Sequence, residues 1–134
     1  MSRVSILLAD DNSAVLSHVT RALRKAYDIV AAVKDGESVL KEYPRLRPDV
    51  IVLDISMGDL SGIDVARRLR DSGCRSKIIF LTVHEDSDFV NAAMGTGASA
   101  YVVKSRMSTD LISAIEAALA GKLFVSRSLL YGRS

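Results

Sequence analysis

A chain of 134 residues with 49% hydrophobic and 25% charged residues fits one soluble domain of the usual size, about 100–200 residues. Its formal net charge of +2 is too slight to suggest that this segment itself binds nucleic acid, and the cluster Arg67, Arg68 and Arg70 reads as the solvated face of a helix. No apolar run nears the roughly 20 residues that span a bilayer. Met1-Ser2-Arg3 leads straight into an apolar run with no signal peptide, and the lone Cys74, read as a loop or helix-end residue, excludes an internal disulfide. A cytoplasmic protein without membrane attachment is expected.

Val4 to Ala9 predicts the first strand, followed by a helix carrying Val15, Leu16, Val19, Ala22 and Leu23, with Asn12 or Ser13 as its N-cap. His18, mid-helix, reads as surface or boundary. Asp28 to Val33 is a second strand, Asp35-Gly36 a turn, and Glu37 to Tyr43 a short helix closed by Pro44. Val50 to Leu53 is the third strand. A loop from Asp54 to Ser61 follows, where Gly58 and Gly62 permit unusual backbone angles. The third helix places Ile63, Val65, Ala66 and Leu69 inward and ends near Ser72-Gly73. Lys77 to Leu81 is the fourth strand, and Ser87 to Met94 a short helix stopped at Gly95-Thr96-Gly97. That helix has few large apolar residues and is expected to be the least firmly held element. Ala100 to Val103 is the fifth strand. Ser108-Thr109-Asp110 caps a last helix whose inner face is Leu111, Ile112, Ile115, Ala118 and Leu119, ended by Gly121.

Five strands and five helices in strict alternation predict an α/β domain built of βαβ units around a parallel sheet, with helices on both faces. The ligand crevice of such a sheet lies beyond the carboxyl ends of its strands, where strand order reverses. At those ends stand Asp10 and Asp11, Asp54, Thr82 and Lys104. Three carboxylates in one crevice repel one another, and a hard divalent cation relieves this: magnesium, with manganese as a substitute. Asp54 is the candidate nucleophile, because carboxylates form aspartyl-phosphate intermediates. Magnesium, Lys104 and the Thr82 hydroxyl then meet the phosphoryl oxygens.

Each of these residues has an ordinary reading when taken alone: a capping Asp-Asp pair, a turn aspartate, a strand-end threonine, a solvated lysine. Four sites at four strand ends on one edge make that reading poor for the set. No zinc spacing, nucleophile elbow or P-loop ending occurs.

The stretches Leu7-Leu8-Ala9-Asp10-Asp11, Val52-Leu53-Asp54-Ile55-Ser56-Met57 with Gly62 following, Leu81-Thr82, and Gly97-Ala98-Ser99-Ala100-Tyr101-Val102-Val103-Lys104 resemble the receiver domain of two-component response regulators. The resemblance covers residues 3 to 121 and implies a single flavodoxin-like (βα)5 doubly wound sheet of order 2-1-3-4-5. It sets a receiver over residues 1–121 and leaves 122–134 as a tail or the start of an interdomain linker. It implies phosphorylation of Asp54 by a histidine kinase or from a phosphotransfer protein. It implies magnesium on Asp11, Asp54 and the Ser56 carbonyl with Asp10 assisting, Thr82 and Lys104 as the phosphoryl-binding pair, and Tyr101 as the aromatic that changes rotamer on activation. Ser56, Met57 and His84 are candidate modulators.

Leu81-Thr82-Val83-His84-Glu85 and Lys104-Ser105 are most similar to the LuxR-like branch, whose receivers precede a helix-turn-helix DNA-binding domain. DNA contact is therefore expected only through an output domain not in this chain; a stand-alone receiver working by protein contact is the alternative. A small aspartyl phosphohydrolase is disfavoured because Ser56 stands where a second aspartate would be needed. The last helix and the tail, with Leu123, Phe124, Val125, Leu129, Leu130 and Tyr131, either form a homodimer contact or pack on the domain itself. The chain departs from the family at Gly58, where proline is common, and at Ser105, where a cis proline is common; a trans Lys104–Ser105 bond is expected. On phosphorylation Thr82 is expected to swing toward Asp54 and Tyr101 to turn inward. The face of the fourth helix, fifth strand and fifth helix, lined by Tyr101, Val103 and Leu111, then changes shape.

Overall fold

The structure is a computed structural model and describes residues 3–126. The elements run β1 (Ser5–Ala9), α1 (Ser13–Leu23), β2 (Asp28–Val33), α2 (Gly36–Leu46), β3 (Val50–Leu53), α3 (Gly62–Asp71), β4 (Lys77–Thr82), α4 (Ser87–Met94), β5 (Ala100–Val103), a 3-10 turn (Lys104–Arg106), α5 (Met107–Leu119) and β6 (Phe124–Val125). All strand pairs are parallel, in the order β2-β1-β3-β4-β5-β6. The expected order holds for the first five strands.

Alternation along the strands divides the core into two. Leu7, Ile51, Leu53, Ile78, Phe80 and Tyr101 face α2, α3 and α4. Ile6, Leu8, Val50, Val52, Ile79 and Val102 face α1 and α5. Strands covered on both sides carry uninterrupted apolar runs, and β3 and β5 are buried at every position. Each large side chain so buried contributes roughly 1.5–3 kcal/mol relative to exposure. The helices start where local chemistry says they should: the side chains of Asn12, Asp35, Ser61 and Asp86 accept backbone N–H groups of α1, α2, α3 and α4.

Several expectations are corrected. A sixth strand was not foreseen: Phe124 N–H donates to Ser99 O at 3.0 Å and Ser126 N–H to Tyr101 O at 2.9 Å, drawing this segment onto β5. Phe124 and Val125 pack against the domain's own core, while Leu129, Leu130 and Tyr131 lie outside the described residues. Pro44 does not close α2; it lies inside the helix, which runs on to Leu46. Tyr43 and Leu46 pack on the core, and the N–H of Arg47 bonds Tyr43 O at 2.8 Å, which outweighs the one backbone bond a proline forfeits. Ser108-Thr109-Asp110 does not cap α5, because the chain enters that helix from the 3-10 turn already coiled. The inward face of α5 is Leu111, Ala114, Ile115 and Ala118, whereas Ile112 and Leu119 are 46% and 40% exposed. Arg70 is not merely solvated: its guanidinium donates to Cys74 O, Ser76 O and Gly97 O, tying α3 to the turn before β5. Cys74 sits in the turn after α3, as expected, but is buried.

Candidate phosphoacceptor site

Strand order reverses between β1 and β3, and their carboxyl ends open the crevice there. Register sets the level of the acids: Ala9 pairs with Leu53, so Asp10 and Asp54 emerge side by side. Asp54 N–H donates to Ala9 O at 3.0 Å and locks the step. Asp10, Asp11 and Asp54 each offer a carboxylate oxygen within 4.8 Å of the others. Asp10 and Asp54 are 3% and 4% exposed; Asp11 is open to solvent.

Lys104 answers that charge. Its Nζ lies 2.7 Å from Asp10 Oδ2 and 3.1 Å from Asp54 Oδ2. Burial alone would lower the Lys104 pKa, but hydrogen bonds and charge from Asp10 and Asp54 more than reverse this and hold it above the usual lysine value. The remaining oxygens are met by the main chain: Asn12 N–H donates to Asp10 Oδ1 and Ile55 N–H to Asp54 Oδ1. The donor set is hard and anionic, open on the Asp11 side, and suits a divalent cation. The Lys104–Ser105 bond is trans, as expected, and Lys104 still reaches both acids.

The loop behind Asp54 is held by its glycines. Gly58 has φ +87°, which a proline cannot adopt. Gly62 has no positive φ, contrary to expectation; glycine is required there because a Cβ would lie 1.9 Å from Asp54 O. Its N–H bonds Ile55 O at 2.8 Å. Met57 is buried in the core cluster.

Thr82 is fully buried at the end of β4, and its hydroxyl accepts the N–H of His84 at 3.4 Å. Tyr101 is also fully buried, tilted against Phe80, with its hydroxyl donating to His84 O at 2.8 Å. Burial first, then the charge of Asp54, raises its pKa well above the usual phenol value. The inward position expected after phosphorylation is thus the one Tyr101 already holds. Val103 and Leu111 are buried too, so none of the three lines an outer face; the exposed large apolar side chains of α4 and α5 are Phe89, Ile112 and Leu119. His84, expected to border the crevice as a candidate modulator, places its ring against Ser56 Oγ and stacks on Phe89. Nothing in the sequence marks Phe89 as a partner beyond its distance of five residues.

The family model described as response regulator receiver domain matches residues 6–116. The chain belongs to the response regulator receiver family. This receiver is 30% identical over 127 residues to the nitrate/nitrite response regulator protein NarL of Escherichia coli, a match covering 93% of this chain and 59% of the relative. It is similar to a LuxR-family two-component response regulator from Aurantimonas, with 32% identity, TM-score 0.91 and coverage of 96% and 94% of the two chains. The isolated REC domain of RcsB from Salmonella enterica, solved with phosphomimetic BeF3-, matches with 25% identity, TM-score 0.88 and coverage of 96% and 97%. The receiver spans 53–59% of the length of the curated relatives it matches. Its family is one of signalling proteins rather than classical enzymes, and among the described residues no helix is long and apolar enough to cross a membrane.

Proposed function

We propose that this receiver is a phosphorylation switch whose acceptor is Asp54. The observation that carries the reading is the grouping of three carboxylates with a lysine bonded to two of them. In the reaction a carboxylate oxygen of Asp54 attacks phosphorus, and the bond from phosphorus to the donor breaks. That bond is P–N for a phosphohistidine of a kinase or phosphotransfer protein and P–O for acetyl phosphate. The electron pair leaves with the donor group. Lys104, already at hydrogen-bond distance from Asp54, neutralises the charge that arrives, roughly −1.5 to −2. Thr82, one strand away, serves a phosphoryl oxygen once its hydroxyl leaves the His84 N–H.

Asp10, Asp11, Asp54 and the carbonyl of Ser56 would hold magnesium, or manganese in its place. Bound there, the cation supplies charge neutralisation and a contact to a phosphoryl oxygen. Lys104 is the device that keeps Asp10 and Asp54 together without it.

The output is transcriptional, through a DNA-binding domain outside this chain. Supporting this, the relatives carry names such as transcriptional regulatory protein DegU, and the chain spans only part of their length. A cytoplasmic location, a histidine kinase as donor and self-association through α5 belong to the same reading. The test is incubation of the native chain with acetyl phosphate and magnesium, read by intact mass. A single phosphoryl increment is expected, absent in Asp54→Asn. No increment in the native chain, or an equal one in the variant, overturns the assignment.

A further inference from the structure

One residue of the β4–α4 connection touches every moving part expected on that side of the crevice. His84 N–H donates to Thr82 Oγ1, and its carbonyl accepts the Tyr101 hydroxyl. Its ring nitrogen Nε2 lies 2.7 Å from Ser56 Oγ, on the loop two residues past Asp54. The same ring stacks on Phe89, with centroids 4.2 Å apart and planes 17° from parallel. Phe89 stands in the first turn of α4 and is 37% exposed, so the imidazole covers part of what the core does not. Only Ala93 of α4 is fully buried; Val90 packs partly buried against the core, and the stack adds a second hold on the front of this helix beside the Asp86 cap.

We propose that His84 is a positioning residue that relays the state of the Asp54 loop to α4 through the Ser56–His84–Phe89 chain. This deepens the phosphoacceptor reading, on which its functional half rests. In the resting domain the Ser56 hydroxyl fixes the imidazole plane, and the imidazole fixes Phe89. Loading of Asp54 displaces the Ser56 loop, frees the ring and loosens the first turn of α4. The link runs alongside the Thr82 and Tyr101 pair and reaches α4 directly, which those two side chains do not: their hydroxyls end on the backbone of His84. The coupling needs a two-state element, and a short helix with one buried residue supplies it.

The experiment is amide hydrogen exchange on the full chain, resolved over residues 87–94, with the amides of β1 and β3 as an internal control. Ser56 is exposed and, among the described residues, makes no hydrogen bond to α4. Even so, Ser56→Ala in the unphosphorylated chain is expected to speed α4 exchange about three- to tenfold, the effect of losing one hydrogen bond from a local opening equilibrium. His84→Ala should do at least as much, and the double variant no more than His84→Ala. In a His84→Phe background, which keeps the stack but cannot bond the serine, Ser56→Ala should change nothing. An α4 exchange rate in Ser56→Ala equal to that of the native chain, or effects that multiply in the double variant, would overturn the coupling. Acetyl phosphate with magnesium should raise native α4 exchange toward the Ser56→Ala level. A chain that gains the phosphoryl mass yet keeps α4 slow overturns the relay, whereas a chain that gains no mass overturns the phosphoacceptor reading and leaves the coupling to be decided by the Ser56→Ala result.

Discussion

The two halves of the crevice are built on opposite plans. On the β1–β3 side, backbone bonds from Asp54 to Ala9 and from Gly62 to Ile55, a Cβ-free contact at Gly62 and a lysine shared between Asp10 and Asp54 leave these two acids little freedom. On the β4–α4 side, a ring stack, side-chain hydrogen bonds and a helix with one fully buried residue and three half-buried ones do the holding. Transfer of a phosphoryl group depends mainly on positioning and charge, which rewards rigidity. A switch needs two packings close in free energy, which rewards few anchors.

Substitutions can break that contrast. Gly62→Ala should be the most damaging small change, costing more than about 3 kcal/mol or preventing folding, because the new methyl meets main chain rather than a movable side chain. Denaturant unfolding measures it. Phe80→Ala, in the core beneath the site, should cost about 3–5 kcal/mol, while Phe89→Ala should stay below about 1 kcal/mol, since its ring is stacked on a half-buried histidine. Comparable losses at Phe80 and Phe89 would erase the distinction between the two sides. Lys104→Ala should cost about 2 kcal/mol without divalent cations. That is less than the loss of a partner in a fully buried pair, because the site opens to solvent at Asp11. Unfolding with chelator and then with magnesium should show the cation recovering part of that loss. Gly58→Ala meets no atom within 4 Å, so only the φ of +87° opposes it, at about 1 kcal/mol; a larger loss would mean that the loop behind Asp54 is more tightly held than its open surroundings indicate.

The smallest effect concerns pH. Burial tends to raise the pKa of Asp110, but hydrogen bonds from Arg106, Ser126 and Thr109 outweigh it and hold the group below the ordinary aspartate value of 3.8. A depressed folded pKa stabilises fully above the unfolded value and is lost as pH falls through the folded one. The native chain should therefore lose stability below about pH 4, and Asp110→Asn should flatten that acid limb. An unchanged limb would show that the bonds from Arg106, Ser126 and Thr109 do not favour the ionised carboxylate.

The site was legible for a local reason. In a parallel sheet each strand's last residue opens onto the same edge, so Asp10, Asp54, Thr82 and Lys104 could be grouped from where the apolar runs stop. What was missed depends on which atoms come to lie opposite. Gly62 looked like a conformational glycine and proved to be a close-approach glycine, a difference visible only once Asp54 O is placed. Ile112 and Leu119 fit the helical period yet face outward, because α5 presents Ala114 and Ala118 to the sheet. Phe124-Val125 is too short a pattern to mark a strand, and it becomes one because β5 has a free edge within reach.

By itself, then, the sequence determined the alternation of the first five strands with five helices, the Asn12 cap of α1 and the chemical groups at the strand ends, all of which follow from backbone preference and side-chain period over short windows. Only the tertiary structure decided that Lys104 bridges two acids, that Tyr101 lies inward on His84, and that a serine, a histidine and a phenylalanine line up between the loop after Asp54 and α4. Those contacts join residues that only the packing of the whole domain brings to within a few ångströms, and no local preference encodes such distances.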